Sequence, residues 1–323
     1  MKAVVPKPVV VVSACLGFRS CRYNGQSLPH PFIERLRKFV EFRPVCPEME
    51  IGLGVPRDPI RIVMQDGEKL LHQPASDREV SVQMRAFSEG FLGALEGVDG
   101  FLLKNRSPSC GVGDVKIYQG KDPSAASTRG AGFFGEAVLT RFADFPTEDE
   151  GRINNFTLRE HFLTQLFALT EFRILRQQPS IQGLISYHTR RKLQLLGYNQ
   201  ARSRELGRVV AAYRRGDIGA SFDEYESHLR QALAKPPRYT SIINVLLHAF
   251  GGLSAELNSP ERQFFLNTVE EYRDERVPLS VLLRLLEAWA LRQDNRYLLA
   301  QSFLAPYPRE LTEITDSGKG RKL

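Results

Sequence analysis

Residues 9–16 read VVVVSACL, and the fold follows from this stretch. Val9 to Val12 are four consecutive β-branched residues, so the strand they predict is apolar on both faces, as in a parallel sheet covered on both sides. It runs out into the small residues Ser13 and Ala14 and then Cys15. The pattern recurs twice. Arg43 to Cys46 reads as a short strand ending on a cysteine, and Gly100 to Lys104 as an apolar strand with Cys110 beyond it. Helical patterns alternate with these strands. Pro31 to Phe42 places Ile33, Leu36, Phe39 and Val40 on one face, Asp77 can cap a helix running to Leu95, and Gly132 to Phe142 predicts another. Ile60 to Gln65 and Lys69 to Gln73 flank Asp66-Gly67-Glu68 as a hairpin, and Val115 to Tyr118 is a further strand. Strands alternating with helices predict an α/β domain with a mainly parallel sheet, whose ligands sit in loops at the strand ends.

The chain has 323 residues, enough for two domains of ordinary size. Phe145 to Asn155 is polar, with Pro, Gly and Asn, and reads as a linker. The expected division is 1–146 and 147–323, the second part an all-α helical domain. Helices are predicted near 156–177, 180–196, 199–215, 221–234, 239–257, 260–274 and 279–304, punctuated by Pro236-Pro237, Pro260 and Pro278. Thr315 to Leu323 reads as a disordered tail.

Composition narrows the chemistry. Hydrophobic residues make up 42% and charged residues 25%, ordinary for a globular protein. No stretch approaches the ~20 apolar residues that cross a bilayer, so no membrane partner is expected. Val12-Ser13-Ala14-Cys15 imitates a lipoprotein cleavage box, but the apolar run before it spans only Val9 to Val12 against the ~7–15 residues such a signal needs. Four cysteines are too few for a disulfide scaffold in a chain this long. A reducing, cytoplasmic setting is therefore expected. The net charge of +7 favours an anionic partner, nucleic acid first.

Three loops concentrate the candidate chemistry. They are Ser13 to Gly17 with Cys21 to Gly25, Pro44 to Glu48, and Ser107 to Gly111. Each sets a cysteine beside Gly, Pro or Ser, where backbone N–H groups can face a thiolate. Thiolates are soft ligands suited to zinc or iron–sulfur centres. The long, irregular spacings do not match the paired CxxC knuckles of a zinc ribbon. The residues alone leave a metal site, inert buried thiols and a reactive nucleophile all open. Likewise Glu48 alone reads as a surface carboxylate and Ser109 as a turn residue.

These motifs resemble the thiouracil desulfurase family. The likeness is carried by Ser13 to Leu16, Arg22 to Gly25, Pro44 to Glu48 with Gly52 to Arg57, and Leu103 to Gly111, in order over about 110 residues. The family binds a 4Fe–4S cluster through three cysteines, which the resemblance assigns to Cys15, Cys46 and Cys110. Cys21 stays outside that set. Asn24 departs from the aspartate usual in the family, which leaves an acid–base role there in doubt. The second half resembles the helical domain often fused to this desulfurase, through Tyr187 to Lys192, Asn244 with His248 to Gly252, and Tyr297 to Leu311. Fused members resemble enzymes that remove sulfur from 4-thiouridine in tRNA.

The activity this implies is a non-redox desulfidase reaction: sulfur binds the open iron, water attacks C4, and 4-thiouridine becomes uridine with release of sulfide. Glu48, two residues from Cys46, is the candidate general base, and Ser109 can bond the pyrimidine or the attacking water. Ser107 and Lys104 are candidate contacts to the base or a phosphate. From His188 to Arg215 there are eight Lys or Arg and one acid. Arg190, Arg191, Lys192, Arg202, Arg204 and Arg208 are the candidate RNA contacts, continued by Arg214 and Arg215, with Tyr187, Tyr198 and Tyr213 interleaved for base stacking. Two other readings stand beside this one: a desulfurase of free thiouracil or related small thiobases, and a non-enzymatic RNA-binding protein with a structural metal.

Overall fold

The computed structural model describes residues 7–122, 124–213 and 216–313. Arg214, Arg215 and the tail from Thr315 lie outside the described residues. The chain divides into two compact units, Lys7–Phe162 and a second from Leu163 onward. In chain order the first holds β1 (Val9–Ser13), α1 (Pro31–Leu36), β2 (Glu41–Val45), α2 (Pro47–Glu50), β3 (Arg61–Gln65), β4 (Glu68–Gln73), β5 (Arg78–Glu79), α3 (Ser81–Gly93), β6 (Gly100–Leu103), β7 (Val115–Tyr118), β8 (Ser127–Gly130), α4 (Phe133–Arg141) and β9 (Thr147–Asp149).

The valine run does what its apolarity demands. β1 is buried along its whole length and lies inside a four-stranded sheet ordered β2-β1-β6-β9, every pair parallel. Val11 packs with Val45, Phe101 and Leu103 against Leu92, Phe134 and Val138. Val10 and Val12, on the alternate face, are fully buried as well. Register then fixes the site: Ser13 pairs with Val45 and Val12 with Leu102, so three parallel strands end level. A second sheet, β5-β4-β3-β7-β8, is mixed. Its β3–β4 hairpin turns through Asp66 and Gly67, both at positive φ, and pairs Gln65 with Glu68.

Several boundaries differ from expectation for local reasons. The first helix stops at Leu36 rather than Phe42, because the backbone turns into β2 from Glu41. Asp77 caps no helix. It sits in the left-handed region, and its carboxylate pairs with His72 and Lys121, while α3 begins four residues later at Ser81. The stretch expected as a linker carries β9, the edge strand beside β6.

The helical region continues with α5 (Phe156–Gln177), α6 (Ile181–Tyr198), α7 (Gln200–Ala212), α8 (Ile218–Ala232), α9 (Tyr239–Gly251), α10 (Ser259–Arg273), α11 (Leu279–Arg292) and α12 (Arg296–Leu299). Side-chain caps set the starts: Ser180, Asn199, Asp217 and Asn258 each accept a first-turn N–H. The predicted 239–257 helix ends at Gly251, just before the C-cap Gly252, and the predicted 279–304 helix at Arg292, before Asp294 at positive φ. No helix among the described residues is long and apolar enough to cross a membrane.

Candidate metal centre

The three level strand ends gather the cysteines. Ser13 leads into Cys15, Val45 into Cys46, and Leu103 into the loop that carries Cys110. Backbone bonds tie these loops together. Ala14 N–H donates to the Val45 carbonyl at 2.8 Å, and Lys104 N–H donates to Ser13 Oγ at 2.9 Å. The Ser107–Gly111 loop is clamped to the start of α4, where Phe133, Phe134 and Gly135 N–H donate to the carbonyls of Pro108 and Ser109. That approach requires glycine. A Cβ at Gly135 would stand 2.2 Å from the Gly111 carbonyl oxygen, and one at Gly132 would stand 2.6 Å from that of Ser109.

Cys46 and Cys110 are buried and Cys15 half-buried. Burial pushes the Cys15 thiol up to about 12, with the Cys110 and Cys46 sulfurs adding to it, and burial likewise pushes Cys110 up to about 12. A hydrogen bond with Cys21 and burial raise Cys46. Cys15 thus lies within electrostatic reach of Cys110 and Cys46, and Cys110 of Cys46, so that thiolates here would repel one another unless a cation compensates them. The donor set fits a soft group carrying several positive centres.

Cys21 is buried too, packed with Ala14 and Cys46, and its carbonyl oxygen lies 3.8 Å from Cys46 Sγ. It reaches this place from the loop after Cys15, not from a strand end. Asn24 accepts the Gln26 N–H and donates to the Gln26 side chain, closing a turn.

Beside the thiols runs a chain of polar bonds. Ser109, 1% exposed, donates from Oγ to Glu48 Oε1 at 2.7 Å. Ser107 Oγ lies 2.9 Å from Ser109 Oγ and accepts the Cys110 N–H at 3.1 Å. Glu48 Oε2 is held by Arg57 through Nε at 2.9 Å and Nη2 at 2.6 Å. The short helix α2 starts at Pro47 with Cys46 as its N-cap and turns Glu48 to this same side. The structure therefore brings Glu48, Ser109 and Ser107 together next to Cys110. Arg57 belongs to the constellation, and the sequence reading missed it as a functional residue. Lys104 is differently placed than expected. Its ammonium is paired with Glu150 and with Asn105 Oδ1.

The basic residues of the helical unit differ in their surroundings. Arg191 is 3% exposed, and its guanidinium is held by Glu171 and Gln194 inside the helical unit, so it faces no solvent partner. Arg190 pairs with the same Glu171, and Arg202 pairs with Glu205. Tyr187 is fully buried and donates to the Ala168 carbonyl, so it offers no face to a base. Lys192, Arg204 and Arg208 are exposed and, among the described residues, outside any ion pair.

Comparison with known proteins identifies the family. The 2-thiouracil desulfurase family matches residues 10–150, and a family of unknown function, DUF1722, matches residues 192–308. The uncharacterized protein YbbK of Bacillus subtilis (strain 168) is 32% identical over 157 residues, covering 46% of this chain and 99% of YbbK. The uncharacterized protein YbgA of Escherichia coli (strain K12) is 30% identical over 149 residues, covering 46% of this chain and 88% of YbgA. A solved structure, the 4Fe-4S-dependent thiouracil desulfidase TudS, is 30% identical with a TM-score of 0.36, covering 46% of this chain and 93% of that one. The chain belongs to the 2-thiouracil desulfurase family, with a DUF1722 region following the desulfurase domain.

Proposed function

We propose that this protein is a 4Fe–4S-dependent desulfidase of thiolated pyrimidines, with Cys15, Cys46 and Cys110 holding the cluster. The observation that carries this reading is the convergence of Cys15, Cys46 and Cys110 at the level ends of three parallel strands, beside a Glu48–Ser109 pair. Family membership supports it. A cluster held by three thiolates supplies, when bound, a soft Lewis-acid site for a thiocarbonyl sulfur. The protein residues do the rest. Glu48 Oε1 accepts a proton from the water that adds to the thiocarbonyl carbon and returns it to the sulfur, then relays the remaining hydroxyl proton to the sulfur as the carbon–sulfur bond breaks. The water oxygen becomes the carbonyl oxygen of the product and the sulfur leaves as hydrogen sulfide. A thiocarbonyl and one water thus become a carbonyl and one hydrogen sulfide, with no electron transferred. Ser109, nearly fully buried, orients that water or the pyrimidine edge by hydrogen bonding.

For the substrate, the finer reading is 4-thiouridine in tRNA. The net charge of +7 and the exposed Lys192, Arg204 and Arg208 support it. The second reading is a free thiobase, favoured by the ion pairs that neutralise Arg190, Arg191 and Arg202. One experiment tests both. The anaerobically reconstituted protein is incubated with bulk tRNA or with 2-thiouracil, and nucleosides, uracil and sulfide are quantified. Loss of 4-thiouridine with matching uridine and sulfide supports the tRNA reading. Turnover of 2-thiouracil alone supports the free-base reading, and no sulfide from either excludes both.

A further inference from the structure

Arg57 closes the Gly52–Arg57 stretch, and its side chain is 4% exposed. All three of its guanidinium nitrogens donate to protein acceptors. Nε and Nη2 converge on Glu48 Oε2, while Nη1 donates to the carbonyls of Gly54 at 2.8 Å and Cys21 at 3.0 Å. Its backbone N–H donates to the Tyr23 carbonyl at 2.8 Å, so the guanidinium is fixed at its root as well.

The distribution of these bonds matters more than their number. Both donors aimed at Glu48 land on one oxygen, which leaves Oε1, among the described residues, to Ser109. Glu48 needs such an anchor. It stands on a helix of four residues, too short to be stable by itself, and its terminal carboxylate torsion is intrinsically broad. A planar guanidinium fixes position and plane together, whereas an ammonium at the same place is only a point charge.

We propose that Arg57 is the positioning residue of the desulfidase site: its fork anchors Glu48 Oε2 so that Oε1 stays aimed at Ser109 and the reacting water. This rests on the reading of Glu48 as general base. A different role is easy to state: Arg57 could serve only to pin the cysteine loop through the Cys21 and Gly54 carbonyls. The two roles separate in a double-mutant cycle, because a residue acting through Glu48 has nothing to act on once that carboxylate is gone.

The cycle compares wild type, Arg57→Lys, Glu48→Gln and the double variant, each full-length, reconstituted anaerobically and assayed on 2-thiouracil. Iron content and visible absorbance are recorded for each. Arg57→Lys is expected to keep its iron and lose about 10²-fold in kcat, the cost of misplacing a catalytic group by about an ångström, with KM little changed. In the Glu48→Gln background the same change should cost less than about threefold, the two effects failing to add. In the apoprotein, which needs no turnover, the double variant should melt no lower than the less stable single variant. Equal kcat losses in both backgrounds, wild-type kcat in Arg57→Lys, or loss of iron from that variant would each overturn the proposal. Wild-type turnover in Glu48→Gln alone would instead overturn the general-base reading beneath it, a result legible without the rest of the cycle.

Discussion

Ser109 and Glu48, 61 residues apart in the chain, share a 2.7 Å hydrogen bond in which the Ser109 hydroxyl donates to Oε1. One residue follows the β6 strand and the other follows β2, with β1 between those strands. The parallel register therefore puts a nearly buried carboxylate–hydroxyl pair beside the cysteines, where a substrate drawn to the thiol side would meet it.

Glu48→Gln keeps the side-chain shape and can still accept from Ser109, but removes the basic oxygen. Loss of a general base costs roughly 10²–10⁴-fold in rate, and iron content should not change. Turnover under anaerobic conditions, set beside iron content, checks this. Full activity with full iron would take Glu48 out of the reaction.

Val9–Val12 showed the central strand, because only burial on both faces accommodates four consecutive valines. Position just after a strand singled out Cys15, Cys46 and Cys110, but their assignment as cluster ligands came from the family resemblance and not from that position. β8 and β9 were not legible, since Ser127–Gly130 and Thr147–Asp149 are short and polar and owe their strand form to their neighbours. Arg57 was hidden because only the fold of α2 and the following loop decides which carboxylate it meets, nine residues back. Arg191 misled for the opposite reason: its charge was visible, and its partner Glu171, twenty residues away, was not.

The glycine-dependent clamp on the Cys110 loop gives a second prediction. Gly135→Ala places a Cβ against the Gly111 and Cys110 carbonyls, which are backbone and cannot swing aside. Such overpacking costs about 1–3 kcal/mol, and relief by moving the loop would displace Cys110. A lowered melting temperature together with reduced iron uptake is expected. Wild-type values for both would mean that the loop yields without consequence for the centre.

The helical unit predicts a salt effect confined to its exposed cations. Replacing Lys192, Arg204 and Arg208 by alanine should flatten the log–log dependence of tRNA affinity on salt by about 2–3, at 0.7–0.9 per lost phosphate contact. Arg191→Ala behaves differently. It leaves the half-buried Glu171 with Arg190 as its remaining partner and Gln194 without its guanidinium donor, and should destabilise the fold by roughly 1–3 kcal/mol. Anisotropy across a salt series and thermal melts separate the two effects. An unchanged slope in the triple variant would move tRNA, and with it the finer substrate reading, off this surface.

His161 gives a pH signature for the fold. Burial lowers its imidazole from the ordinary 6.5 to about 4. Between those values the unfolded chain takes up a proton that the folded chain refuses, so stability falls as the pH drops through this window and levels off below it. The loss is at most roughly 3 kcal/mol, because the side chain is only partly shielded from water. His161→Gln should show a shallower decline of melting temperature from pH 6.5 to 4. An identical decline would assign the acid sensitivity to other groups.

The central claim is that Cys15, Cys46 and Cys110 hold the cluster while Cys21 only packs beside Cys46. The most direct test is the visible absorbance of the four single Cys→Ala variants after anaerobic reconstitution, read against wild type. Wild type and Cys21→Ala should be brown, and Cys15→Ala, Cys46→Ala and Cys110→Ala should lose the iron–sulfur absorbance. A colourless Cys21→Ala, with any one of the other three still brown, would contradict it.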